Sequence, residues 1–106
     1  MIHFNLNGIE AKTFFPGVKG KFIHGEALSW AFWMVDAGAE VPRHQHVHEQ
    51  LMHVVSGTFE FEVEGEKRRC EAGEVVCIRS NQWHYGKALT DCVLMDVFTP
   101  VREEYR

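Results

Sequence analysis

The sequence predicts an all-β domain, a sandwich or barrel, on three observations. Short apolar runs are broken at close intervals by glycines, at Gly38, Gly57, Gly65, Gly73 and Gly86. One run, "TFEFEVE", alternates Phe59, Phe61 and Val63 with Glu60, Glu62 and Glu64, a period of two that gives a strand one buried and one wet face. No segment carries a helical period, and only the tail "PVREEYR" has room for a helical turn. Many short strands with closely spaced turns are the pattern of sandwiches and barrels.

Taken in order, the strand candidates are "KFIH" (21–24), "LSWAFWMVD" (28–36), "LMHVV" (51–55), "TFEFEVE" (58–64), "KRRCE" (67–71), "EVVCI" (74–78) and "CVLMDVFT" (92–99). Ser56-Gly57 and Glu64-Gly65-Glu66, on either side of the clearest strand, read as hairpin turns. At 106 residues the chain has enough length for one core and too little for two, so residues 1–106 are expected to form a single domain.

Composition narrows the function classes. Hydrophobic residues at 45% and charged residues at 25% are ordinary for a soluble globular chain. A formal charge of −4 argues against nucleic acid, and the only dense basic cluster, Lys67-Arg68-Arg69, is flanked by Glu64, Glu66 and Glu71. No apolar run approaches the ~20 residues of a membrane span. The start "MIHFNLNGIE" lacks the basic and apolar regions of a signal peptide, so the expected location is cytoplasmic. Cys70, Cys77 and Cys92 form no CxxC pair and read as buried, inert thiols.

The densest chemistry lies in "PRHQHVHEQ" (42–50), with three of the chain's seven histidines in five positions. On an extended strand His44 and His46 face the same way and can share one ion through imidazole nitrogens. Gln50 keeps their parity and can add an oxygen after a local bend, and His84 in "NQWHYG" is the natural fourth ligand. Such donors suit Zn, Fe, Ni, Mn or Cu. A solvated polar stretch is the competing reading. His48, at the bend, is expected to be exposed, and His53, of opposite parity to Gln50, to face away. His3 and His24 read as surface or packing residues. Glu49 is one residue out of phase for the slot of Gln50.

Residues 38–57, "GAEVPRHQHVHEQLMHVVSG", resemble the first cupin motif, with Gln50 where glutamate is usual. Residues 73–84, "GEVVCIRSNQWH", resemble the second, although Arg79 replaces the usual proline, Asn81 the usual glycine and Ala88 the final asparagine. The resemblance implies a small cupin β-barrel (double-stranded β-helix or jelly roll) and one divalent metal held by His44, His46, Gln50 and His84. A neutral amide in that set leaves the ion its full charge. The ion is then a stronger Lewis acid and harder to oxidise, which favours polarisation of a carbonyl or hydroxyl over redox chemistry.

The C-terminal segment "CVLMDVFTPVREEYR" places Asp96 in an apolar strand, grouped by parity with Cys92, Leu94 and Phe98. A buried carboxylate needs a partner, and Arg102 can supply one if the chain turns back at Pro100. That pair is either a structural clasp or, inside a cupin, a general acid or base beside a carboxylate binder. The strings "HVHEQLMHVVSGTFEFEVEGE" and "VLMDVFTPVREEY" are similar to the KdgF family of small cupins. That likeness implies conversion of a 4,5-unsaturated uronate to the linear 5-keto-4-deoxyuronate. It also implies that Asp96 moves protons, Arg102 binds the carboxylate and Phe98 lines the site. The competing functions are an iron-dependent dioxygenase on a small organic substrate and a non-catalytic metal- or sugar-binding cupin. Open sheet edges favour a homodimer.

Overall fold

In the computed structural model, which describes residues 1–106, ten strands follow one another with only two short 3-10 turns, Leu6–Gly8 and Glu103–Tyr105. The strands are β1 (Lys12–Phe15), β2 (Val18–His24), β3 (Ser29–Val35), β4 (Glu40–His44), β5 (Glu49–Ser56), β6 (Phe59–Val63), β7 (Glu66–Cys70), β8 (Val75–Ile78), β9 (His84–Ala88) and β10 (Cys92–Thr99). They form two antiparallel sheets, in the orders β1-β2-β3-β10-β5-β8 and β4-β9-β6-β7. No helix is long and apolar enough to cross a membrane.

The period of two fixes which faces meet. In β6, Phe59 and Phe61 are buried while Glu60 and Glu62 turn outward. In β10 the buried set is Cys92, Leu94, Asp96 and Phe98, the parity group expected from the sequence. Val18, Val35, Val54, Phe59, Phe61, Ala88 and Leu94 make up most of the apolar core. The core occupies one end of the space between the sheets, because the inward residues turn polar farther along the same strands. Leu94 gives way to Asp96 in β10, Val54 to Gln50 in β5, and Ala88 to His84 in β9.

The turns differ in kind. Glu64 and Gly65 both have positive φ (49° and 82°), and Val63 pairs with Glu66, which makes a two-residue hairpin of the primed type. Ser56-Gly57 is not a hairpin turn, contrary to the expectation above. It carries the chain from β5 in one sheet to β6 in the other. Gly57 has φ +87°, and a Cβ there would lie 2.2 Å from the Asp91 carbonyl oxygen, so the crossing is built for glycine. Cys70 and Cys92 are buried, but Cys77 is exposed, because it alternates with the buried Ile78 on the sheet's outer face.

A candidate metal and acid centre

Four separate segments bring the polar end together. His44 ends β4 and is the cross-strand partner of His84, which opens β9. His46 lies in the link between β4 and β5, and Gln50 follows in β5, in the opposite sheet. The three histidine rings have ligand nitrogens within 4.8 Å of one another. His44 and His84 are nearest, with ring centroids 4.1 Å apart.

Each ring is oriented by its own backbone. Nδ1 of His44 is 2.7 Å from the Pro42 carbonyl, that of His46 is 3.0 Å from the His48 carbonyl, and that of His84 is 2.8 Å from the Gln82 carbonyl. A carbonyl can only accept, so Nδ1 carries the hydrogen in all three and Nε2 presents a lone pair. Burial pushes His46 and His84 down to about 4, helped by the nearby Arg102 charge and by the neighbouring histidines. Burial lowers His44 as well. All three rings are therefore neutral near pH 7, the form that ligates a metal.

Gln50 lines the same cavity as these histidines. Its Nε2 donates to Asp96 Oδ2 at 3.0 Å, which leaves the amide oxygen Oε1 buried without a partner. His46 Nε2 and His84 Nε2 are also buried and unpartnered. Unsatisfied buried acceptors are costly. Two bare imidazole nitrogens with His44 beside them fit a divalent cation, and the bare amide oxygen belongs to a residue lining the same cavity.

Asp96 stands behind Gln50. Its Oδ2 accepts from Gln50 and, at 3.2 Å, from the indole Nε1 of Trp33, while Oδ1 has no partner. In register Asp96 opposes Ala31 on one side and Met52 on the other, so Trp33 and Gln50 are its diagonal neighbours on the inward face. Trp33 reaches that place because its own cross-strand partner is Gly20, where a Cβ would come within 2.5 Å of the indole ring. Burial raises Asp96 to about 8, outweighing the two hydrogen bonds and the Arg102 charge that pull it down. Near neutral pH Asp96 is thus a carboxylic acid. With both N–H donors on Oδ2, the proton belongs on Oδ1.

Arg102 is buried but is not the partner of Asp96 that the sequence suggested. Its Nε pairs with Glu104, and its guanidinium carbon lies 4.7 Å from the Phe98 ring centroid and 4.8 Å from that of Tyr105. The cis Thr99-Pro100 bond and the final 3-10 turn fold this segment back over the end of the barrel. A cavity of about 100 Å³ runs between the sheets, with Phe98, Arg102, Asp96, Gln50 and the three histidines among its lining residues. Phe14, Trp33 and Tyr105 line it too, so the N-terminal third supplies part of its wall.

The seven residues proposed for the site from the sequence, His44, His46, Gln50, His84, Asp96, Phe98 and Arg102, all line this cavity, and Phe14, Trp33 and Tyr105 join them. His48 was expected to be exposed. It is buried at 8% exposure, with Nδ1 unpartnered and its ring edge-on to His46, 5.3 Å between centroids. His48 keeps the parity of His44, His46 and Gln50, and the bend at residues 47–48 does not turn it out to solvent. The role of Trp33 comes from its contact with Asp96, visible only once the strands are paired, whereas Glu104 and Tyr105 meet Arg102 within the same terminal turn.

Comparison with known proteins agrees with this layout. Residues 31–98 match the Cupin domain family. The pectin degradation protein KdgF of Dickeya dadantii (strain 3937) is 36% identical over 70 residues, 64% of this chain and 64% of that relative's length. The solved structure of KdgF from Halomonas sp. superposes with a TM-score of 0.93 at 32% identity, covering 100% of this chain and 99% of that one. An RmlC-like cupin from Shewanella frigidimarina NCIMB 400 gives 0.93 at 28% identity, covering 100% and 97%.

Proposed function

We propose, from the premise that the chain belongs to the cupin family and is similar to KdgF along its whole length, that it opens the ring of a 4,5-unsaturated uronate. The product is the linear 5-keto-4-deoxyuronate. In this isomerisation the C1–O5 bond breaks, O1 loses its proton as the aldehyde forms, and C4 gains a proton as the C5 carbonyl forms. Nothing is oxidised. The bond changes require an acid that holds its proton at neutral pH, a neutral or cationic grip on a carboxylate, and a wall against bulk water.

The observation that carries the reading is the acid. Asp96 is fully buried and held at Oδ2 by Trp33 and Gln50, with Oδ1 unpartnered, an arrangement suited to donating from Oδ1 to C4. Arg102, fixed between Phe98 and Tyr105, would bind the uronate carboxylate. His44, His46, Gln50 and His84 would hold a divalent metal such as Zn, Ni, Fe or Mn, which when bound supplies Lewis-acid polarisation of a sugar oxygen. Gln50 thus has a dual part, with its oxygen toward the metal and its nitrogen toward the acid.

The test is direct. Freshly prepared lyase products, carrying the conjugated double bond, lose their ultraviolet absorbance as the ring opens. Metal-replete protein is expected to accelerate that loss equally in air and under nitrogen. No acceleration over buffer sinks the reading, and a strict oxygen requirement would favour the dioxygenase.

We also infer a homodimer. The outer face of the six-stranded sheet aligns Trp30, Val97, Leu51 and Cys77 in one row and Phe32, Met95, His53 and Val75 in the next. Leu51 and Val75 are 48% and 56% exposed, an apolar surface that favours burial against a second copy.

A further inference from the structure

The turn that carries Arg102 is tied down by a histidine outside the cavity. His24, the last residue of β2, is engaged at both ring nitrogens: Nε2 lies 2.9 Å from the Tyr105 carbonyl and Nδ1 lies 2.7 Å from Ser29 Oγ. The carbonyl only accepts, so Nε2 carries a hydrogen, and in the neutral ring Nδ1 accepts from the Ser29 hydroxyl. Ser29 is fully buried and its oxygen accepts, at 2.8 Å, from the backbone N–H of Arg102. One imidazole therefore holds the final turn at two points, directly at residue 105 and through Ser29 at residue 102.

The surroundings keep that imidazole in place. Its ring stacks on Phe22, 5.6 Å between centroids and 9° between planes. Phe22 and Phe14 also pack on the Tyr105 ring, at 4.8 and 5.1 Å. Tyr105 in turn forms one of the two aromatic faces that enclose the Arg102 guanidinium, the other being Phe98. With Nε engaged by Glu104, the two terminal amino groups of Arg102 remain for an anion. A short terminal turn held by few backbone bonds frays unless something outside it ties it down.

We propose that His24 is a positioning residue: through Ser29 and the Tyr105 carbonyl it fixes the 101–106 turn and so presents the Arg102 guanidinium to a substrate carboxylate. The carboxylate part rests on the uronate reading above, whereas the anchoring part does not.

The experiment compares wild type, His24→Ala, Ser29→Ala, Arg102→Ala and the His24→Ala/Arg102→Ala pair as full-length, metal-loaded chains. Ser29→Ala removes only a hydroxyl and keeps the chain measurable if the histidine change disturbs folding. Amide hydrogen exchange is expected to quicken across 101–106 in His24→Ala and Ser29→Ala, with β3, β5 and β10 protected as in wild type. On lyase products His24→Ala should raise KM about tenfold, the scale of one or two lost hydrogen bonds, with kcat within about twofold. In the Arg102→Ala background the same change should alter KM less than about twofold, since it would then have no guanidinium to place. Unchanged exchange across 101–106 in both single variants overturns the proposal, as does full additivity of the His24 and Arg102 effects. If wild type turns over no lyase product, the uronate reading fails, and the exchange data still decide whether His24 anchors the turn.

Discussion

Replacing Gln50 by glutamate exchanges one nitrogen for oxygen and reverses what that side chain offers Asp96. In the native site the amide nitrogen donates to Asp96 Oδ2 at 3.0 Å. A glutamate oxygen there can only accept when ionised. Two carboxylates at that separation, both ionised, would repel by about 5 kcal/mol at an effective dielectric of about 20. The pair therefore keeps one proton through the neutral range, and the strongest bond available to it runs from Asp96 to the new carboxylate. The proton moves from Oδ1, where it is free, to Oδ2, where it is locked. The metal ligand set gains an anionic oxygen and loses nothing. Gln50→Glu is thus expected to retain metal at or above the wild-type level, read by elemental analysis. Its kcat on lyase products should fall at least about tenfold, and by up to about a thousandfold if Asp96 supplies the full benefit of a general acid. A variant with undiminished metal and kcat within twofold of wild type would refute the coupling of amide and acid.

Other expectations follow from the same residues. Burial holds His46 and His84 at about 4 rather than 6.5, so the unfolded chain binds more protons between those values and stability rises with pH there. Asp96 is raised from 3.8 to about 8, so across that window the native state holds the extra proton and stability falls as pH rises. The two histidines outweigh the one acid in the lower part, so the metal-free protein should be most stable near pH 6.5, the ordinary histidine value. Above that pH, urea midpoints should decline with a limiting slope of about 1.4 kcal/mol per pH unit, and Asp96→Asn should abolish the decline. A decline that persists in Asp96→Asn would assign it elsewhere. Gly20→Ala puts a methyl where the Trp33 ring lies, within 2.5 Å of its carbons; a loss of about 1–3 kcal/mol and a lower kcat are expected, and an unchanged urea midpoint would contradict the contact. Met95→Lys on the outer sheet face should turn a dimer into a monomer in sedimentation velocity, and a wild type already monomeric at tens of micromolar would rule the dimer out.

The parts of this molecule legible in its sequence are those where one strand decides the outcome alone. The alternation of β6 and the boundaries of β10 follow from local pattern, and the ligand candidates His44, His46, Gln50 and His84 follow from spacing and motif. Three strands, β1, β4 and β9, lie outside the strand candidates. "KTFF", "EVPRH" and "HYGKA" carry too few alternating apolar residues to stand out, and their strand character comes from neighbours in the sheet. Contacts that span the chain were hidden for the same reason: Trp33 meets Asp96 across 63 positions, and His24 meets Tyr105 across 81. His48 is expected to be exposed because it lies at a bend, yet the bend leaves it buried beside His46. Arg102 was given Asp96 as its partner, when Glu104, two residues away on the same turn, was nearer.

The orientation of the Gln50 amide also bears on where protons can travel. A carboxylate between the histidine cluster and Asp96 would be a stepping stone, able to take a proton on one oxygen and release it from the other. A neutral amide does not do this at ordinary pH. Gln50 therefore joins the two centres mechanically while insulating them from each other, and Asp96 must be recharged by water or by the substrate itself. In heavy water both sources carry deuterium, because the substrate's hydroxyl exchanges with solvent, so C4 is expected to gain one deuterium per turnover.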